Sequence, residues 1–162
     1  MIDYEKIYEL LDKATPVPFD CGKICGAACC QQNEELDMVI ILMPGEERMI
    51  NRKEKWLHIT EEDRKDYGLP ESWGDRVMIA RCDGPESCRR EERPIQCRIF
   101  PMMAVVNSDG EVEIVENDFA LPYICPIIEE EAEISEEFMA AAKEAFEELI
   151  KDQRIRDLLA EE

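Results

Sequence analysis

Four cysteines fall within ten residues, at Cys21, Cys25, Cys29 and Cys30, and no other stretch constrains the chain as tightly. As a helix the segment would put Cys21, Cys25 and Cys29 on one face at i, i+4 and i+8. Gly22 and Gly26 instead supply the backbone freedom that chelating turns require, so a mixed loop and helical turn is the expectation. Four more cysteines follow: Cys82, Cys88 and Cys97 close together, then Cys125. Cysteine otherwise behaves as a small buried hydrophobe, so two dense groups need a chemical cause. Thiolate ligation of a metal is that cause: soft sulfur ligands select zinc, copper(I) or iron–sulfur clusters over magnesium or calcium. Disulfides are the competing explanation, since the eight cysteines make an even number. Against them, a chain of 162 residues can bury a substantial core without staples. The acidic start, Met1 to Lys6, lacks the basic and then apolar run of an export signal, and disulfides belong mainly to oxidising compartments. Adjacent Cys29 and Cys30 are also poorly spaced to bridge each other.

A structural zinc takes four tetrahedral ligands, with sulfur at about 2.3 Å. The eight cysteines therefore suit two four-thiolate sites, or one cluster with spare thiols. A four-iron cluster accepts the same all-cysteine ligation. Neighbouring side chains diverge, so the Cys29-Cys30 doublet feeds two sites or holds one ligand and one reserve thiol. Histidine adds little, because His58 is the only one and lies far from both groups in sequence; it reads as a structural or surface residue. The methionines read as core filler. From Arg81 to Arg98 the chain carries five arginines against four acids, although the whole chain has a net charge of −20. Arg93 and Arg98, next to Pro94 and Cys97, are the candidates to offset thiolate charge and donate hydrogen bonds to sulfur. Arg89 and Arg90 read as solvated surface.

That net charge argues against nucleic acid as a partner, which calls for a basic footprint. The longest apolar run, Met38 to Met43, is far short of the roughly 20 residues that span a bilayer. A cytoplasmic protein is the expectation. There is no phosphate-binding glycine loop and no nucleophile paired with a base, so no catalytic residue is assigned and enzyme activity is left open.

Periodicity places the elements. Ile2, Ile7, Leu10 and Leu11 predict a helix over 2–13, ended by Pro16 and Pro18 ahead of Cys21. Leu36 to Met43 predicts a buried strand closed by Pro44-Gly45, and a helical segment through Glu46, Met49 and Ile50 follows. Residues 54–75 predict irregular structure, with Thr60 as a helix cap ahead of Glu61, Glu62 and Asp63. Arg76 to Arg81 predicts a strand leading into Cys82. Met102 to Asn107 and Glu111 to Glu116 predict a hairpin turning at Ser108-Asp109-Gly110. Ser135 caps a long helix with the stripe Phe138, Ala142, Ala145, Phe146 and Leu149, which continues or restarts through Ile155, Leu158 and Leu159.

The order Cys21-x3-Cys25-x3-Cys29-Cys30, then Cys82 and Cys88, then Arg93-Pro94-Ile95-Gln96-Cys97-Arg98-Ile99-Phe100-Pro101, then Cys125-Pro126, resembles the YkgJ-like cysteine-cluster family. The Arg-Pro-x-x-Cys-Arg-x-Phe-Pro block is the most specific part of the match. The family's motif is of the CxxCxxCC type, whereas here three residues separate Cys21 from Cys25 and Cys25 from Cys29. The resemblance covers roughly residues 20–126 and implies zinc or iron chelation without a defined reaction.

The chain is thus expected to form one α+β domain over 1–162, with a short, mostly antiparallel sheet, cysteine-rich metal-binding loops and a long C-terminal helix. Residues 20–126 make the cysteine-cluster core and 135–162 the C-terminal helical segment. All eight cysteines (Cys21, Cys25, Cys29, Cys30, Cys82, Cys88, Cys97 and Cys125) are expected to ligate zinc, or alternatively a [4Fe-4S] cluster, with Arg93 and Arg98 in support. The acidic terminal helix is a candidate contact for a protein partner.

Overall fold

Tyr4, Ile7, Tyr8 and Leu11 recur at helical spacing and are all buried, so the N-terminal segment folds as helix α1, Tyr4–Asp12. Asp3 caps it by accepting a hydrogen bond from the Lys6 N–H at 3.1 Å. The computed structural model describes residues 2–15, 39–50, 56–84, 92–117 and 133–160. Six cysteines, Cys21, Cys25, Cys29, Cys30, Cys88 and Cys125, lie outside the described residues, as do the segments expected to be extended at 16–20 and strand-like at 36–38.

The fold is α+β, with two small antiparallel sheets and helices among the described residues. In chain order its further elements are β1 (Ile40–Ile41), β2 (Leu57–Asp63), β3 (Arg76–Cys82), α2 (Ile95–Ile99), β4 (Met102–Val106), β5 (Val112–Glu116), α3 (Glu136–Leu149) and α4 (Gln153–Leu159). Short 3-10 turns occupy Glu46–Met49, Arg64–Tyr67 and Glu71–Trp73.

The first sheet has the order β1-β3-β2, with β3 central. Ile40 faces Ala80 across one ladder, and Leu57 faces Cys82 across the other. Side chains alternate between the two faces of a strand, and both faces of β3 are covered. Val77 and Ile79 pack with Leu69 and Trp73 on one side. Ala80 packs with Ile40, Leu42, Ile50, Trp56 and Leu57 on the other.

Strand β2 corrects the expectation of irregular structure with a helix cap at Thr60. Thr60 lies in the strand opposite Ile79, and the helical turn begins only at Arg64, capped by Asp63, whose carboxylate accepts from the Lys65 N–H at 2.9 Å. The strand's polar face is that of an edge, where charged side chains are accommodated. The element after Pro44-Gly45 is a single 3-10 turn with Gly45 at φ 89° before it.

The β4–β5 hairpin forms as expected, with Val106 opposite Val112. Asn107 organises its turn: its side-chain oxygen accepts from the N–H groups of Asp109 and Glu111, each at 3.0 Å, while Gly110 takes the positive φ of 82°. One face of this hairpin, with Met102, Ala104, Val106 and Val112, lies in the largest core cluster together with α1, α3, Ile95, Ile99 and Ile155.

Helix α3 starts where Ser135 accepts from the Phe138 N–H at 3.3 Å, and all five residues of its expected stripe are buried. The helix breaks at Ile150 and restarts as α4, capped by Asp152. Trp73 Nε1 donates to the Arg154 carbonyl at 2.8 Å, tying α4 to the turn beside the first sheet, and Ala160 forms a parallel bridge with Val106 of the second. Among the described residues, no helix is long and apolar enough to cross a membrane.

Because α3 supplies the centre of the core, its loss cannot be confined to one surface. Phe146 is 1% exposed, so Phe146→Ala is expected to cost about 3–5 kcal/mol in urea unfolding. Substituting exposed Glu147 with alanine on the same helix is expected to change stability by less than about 0.5 kcal/mol.

Candidate metal centre

Two of the eight expected ligands, Cys82 and Cys97, lie among the described residues. Cys82 ends β3, where the ladder to Leu57 fixes which face it shares. Cys97 sits in the middle of α2, a five-residue helix. The fold brings both to one place: each is half-buried against the apolar cluster of Ile40, Leu42, Ile50, Trp56, Leu57 and Ala80. The side-chain oxygen Oε1 of Gln96, the residue before Cys97, accepts from the Ile41 N–H at 3.0 Å and so ties α2 to the β1 edge of this sheet. Trp56 Nε1 donates to Glu92 at 3.2 Å, joining the same cluster to the segment that leads into α2.

Glu46, not singled out from the sequence, is the polar centre beside this region and is completely buried. Its Oε1 accepts from the Tyr8 hydroxyl at 2.8 Å and from the Ile95 N–H at 2.7 Å. Its Oε2 accepts from the Met43 N–H at 2.8 Å. One carboxylate thus joins α1, the turn before it in the chain and the first residue of α2. Burial pushes the Glu46 carboxyl up from its ordinary value, while those donors and the nearby Arg98 cation pull it back down. The Tyr8 hydroxyl is held well above the usual tyrosine range, first by burial and then by the Glu46 charge. No sequence pattern marks Glu46, because its side-chain partner and the Ile95 amide lie 38 and 49 residues away.

The expected supporting arginines take specific places. The Arg98 guanidinium pairs with Asp12 through Nη1, lies over the Tyr8 ring with 4.4 Å to its centroid, and donates from Nε to the Arg93 carbonyl at 2.5 Å. These contacts hold the far end of α2 against α1, as Glu46 holds its near end. Arg93 contributes its main-chain carbonyl to that arrangement.

His58 is exposed, and its Nε2 lies 2.7 Å from Asp83 Oδ1, in agreement with a surface role. On the same strand Glu62 gathers donors: Arg81 Nη1 at 2.5 Å, the Tyr67 hydroxyl at 2.6 Å and the Thr60 hydroxyl. Among the described residues, no three histidine, cysteine, aspartate or glutamate side chains are grouped as a metal site. Cys82 and Cys97 are the cysteines among the described residues, and thiolate is the ligand type that a soft metal selects. No protein-family model, curated protein or solved structure matches the chain.

The Glu62 cluster sets a pH dependence. Hydrogen bonds from Arg81, then Thr60 and Tyr67, bring the Glu62 carboxyl from 4.5 down to about 2. A folded-state value below the unfolded one stabilises the fold above pH 4.5, and that contribution is lost as the pH falls through about 2. NMR titration of the Glu62 side chain is expected to give a midpoint near 2, and Arg81→Gln to move it back toward 4.5.

Proposed function

We propose that this chain is a cytoplasmic metal-binding protein that chelates zinc through clustered cysteine thiolates, in the manner of the YkgJ-like cysteine-cluster family. One observation carries the reading: Cys82 on a strand and Cys97 on a separate helix pack on the same apolar cluster. A metal site needs ligands from distant parts of the chain to converge, and a folded scaffold supplies that convergence. The remaining six cysteines enter through their sequence grouping and the Arg93 to Pro101 block. A reducing compartment keeps such thiols available as ligands. Once bound, zinc supplies a fixed tetrahedral cross-link between segments. The chain's own residues supply the thiolates and the packing that aims them.

An iron–sulfur cluster is the second reading, favoured by the donor set itself. The only histidine is paired with Asp83, which leaves sulfur as the soft donor, and cysteine-only ligation serves a four-iron cluster equally well. A redox or enzymatic role would follow from that cofactor.

Elemental analysis separates the readings on protein purified without oxygen and without a polyhistidine tag. Zinc at about one or two per chain without acid-labile sulfide is expected. A strong chelator is then expected to lower the melting temperature, because metal bound only to the folded state stabilises it by mass action. Iron with matching sulfide would establish the second reading. Metal-free protein with paired thiols would contradict both.

A further inference from the structure

We infer that Glu46 is a positioning residue for Cys97: the buried carboxylate holds the start of α2 so that the thiol packs on the apolar cluster that Cys82 also touches. The inference rests on the thiolate reading above and names the device that orders one of its ligands.

The two cysteines differ in how they are held. Cys82 rides on the central strand β3, whose ladder to β2 runs its whole length and pairs Cys82 with Leu57, while β1 pairs with Ile79 and Ala80. Cys97 rides on five helical residues, too few to be stable alone, since helix nucleation is unfavourable and short helices depend on tertiary contacts. Pro94 precedes this helix and offers no side-chain cap. Position must therefore come from outside α2. At its start, the Ile95 N–H donates to Glu46 Oε1 at 2.7 Å. The same carboxylate is immobilised by the Tyr8 hydroxyl and the Met43 N–H, so α2 is referenced to α1 and to the chain leaving β1. The Cys97 and Arg98 N–H groups then donate to the Pro94 carbonyl at 3.0 and 3.1 Å, which carries that placement one turn along to the thiol.

A carboxylate suits this task and an amide does not. Three donors from three segments converge on Glu46, and only an ionised carboxylate offers two acceptor oxygens with no donor of its own. Glutamine keeps the shape but has one acceptor oxygen: with that oxygen toward Tyr8 and Ile95, its NH2 group opposes the Met43 N–H, so the side chain that references the helix start loses its own anchor. The expected result is a loosened helix start, with the Cys82 strand left in place.

The test uses the full chain as purified and compares wild type with Glu46→Gln. Iodoacetamide alkylation of Cys97 and Cys82 is followed by mass spectrometry, and zinc transfer to a chromophoric chelator is followed in parallel. Cys97 is expected to react about tenfold faster in the variant, with Cys82 changing less than about twofold, because only local opening at α2 is promoted. Zinc is expected to leave faster, and Glu46→Gln is expected to add nothing in a Cys97→Ser background, as coupled residues behave. If Glu46→Gln does not fold, Tyr8→Phe carries the test: it removes one donor to the carboxylate and keeps the ring under Arg98, and a rise of about threefold at Cys97 alone is expected. Equal acceleration at both thiols, or at neither, overturns the positioning role while leaving zinc binding intact. A wild-type chain that takes up no zinc overturns the thiolate reading itself, whatever the alkylation rates show.

Discussion

A fully buried carboxylate is costly unless it is hydrogen-bonded, and three donors converge on Glu46 to meet that demand. Its partners are a hydroxyl from α1 and two main-chain N–H groups from separate segments. Losing any one segment takes a donor away from this buried carboxyl group, so the three are ordered together. The Arg98 guanidinium extends the arrangement by pairing with Asp12 and covering Tyr8. Helix α2 is therefore clamped to α1 at both ends through polar contacts, while Ile95 and Ile99 fix it through the core.

Around that clamp the buried apolar residues among those described divide into three clusters. The largest joins α1, α3 and the β4–β5 hairpin. The other two lie on opposite faces of the three-stranded sheet. This division gives the faces different neighbours: one face of β3 packs toward Trp73 and α4, and the other adjoins the cluster against which Cys82 and Cys97 both pack. The acidic C-terminal helix, which its composition offers as a partner contact, gives its apolar stripe to the core. Any partner would meet its exposed face, where Glu137, Glu144 and Glu147 lie.

Local rules made some of this structure legible in the sequence. Ser108-Asp109-Gly110 marked the hairpin because that turn needs a positive φ and short polar residues, and Ser135 with its stripe marked α3 because capping and helical period are both local. Strand β2 escaped because its apolar alternation, Leu57 and Ile59, runs straight into Glu61, Glu62 and Asp63. Only pairing with β3 makes those residues a strand. Helix α2 escaped because five residues after a proline carry no period. Glu46 is one of 39 acids, and its role exists only where distant donors meet. Arg98 was legible as important beside Cys97, yet its contacts with Asp12 and Tyr8 depend on α1 folding against α2. The cysteine grouping was plain in the sequence, while the shared face of Cys82 and Cys97 follows from strand register and helix placement.

The proposal that these thiols hold a metal is tested most directly by X-ray absorption on anaerobically purified protein at the edge of whichever metal it carries. A zinc edge with a shell of four sulfurs at about 2.3 Å is the expected result. A shell of nitrogen or oxygen at about 2.0–2.2 Å would contradict thiolate chelation, because it would place the metal on side chains other than the cysteines.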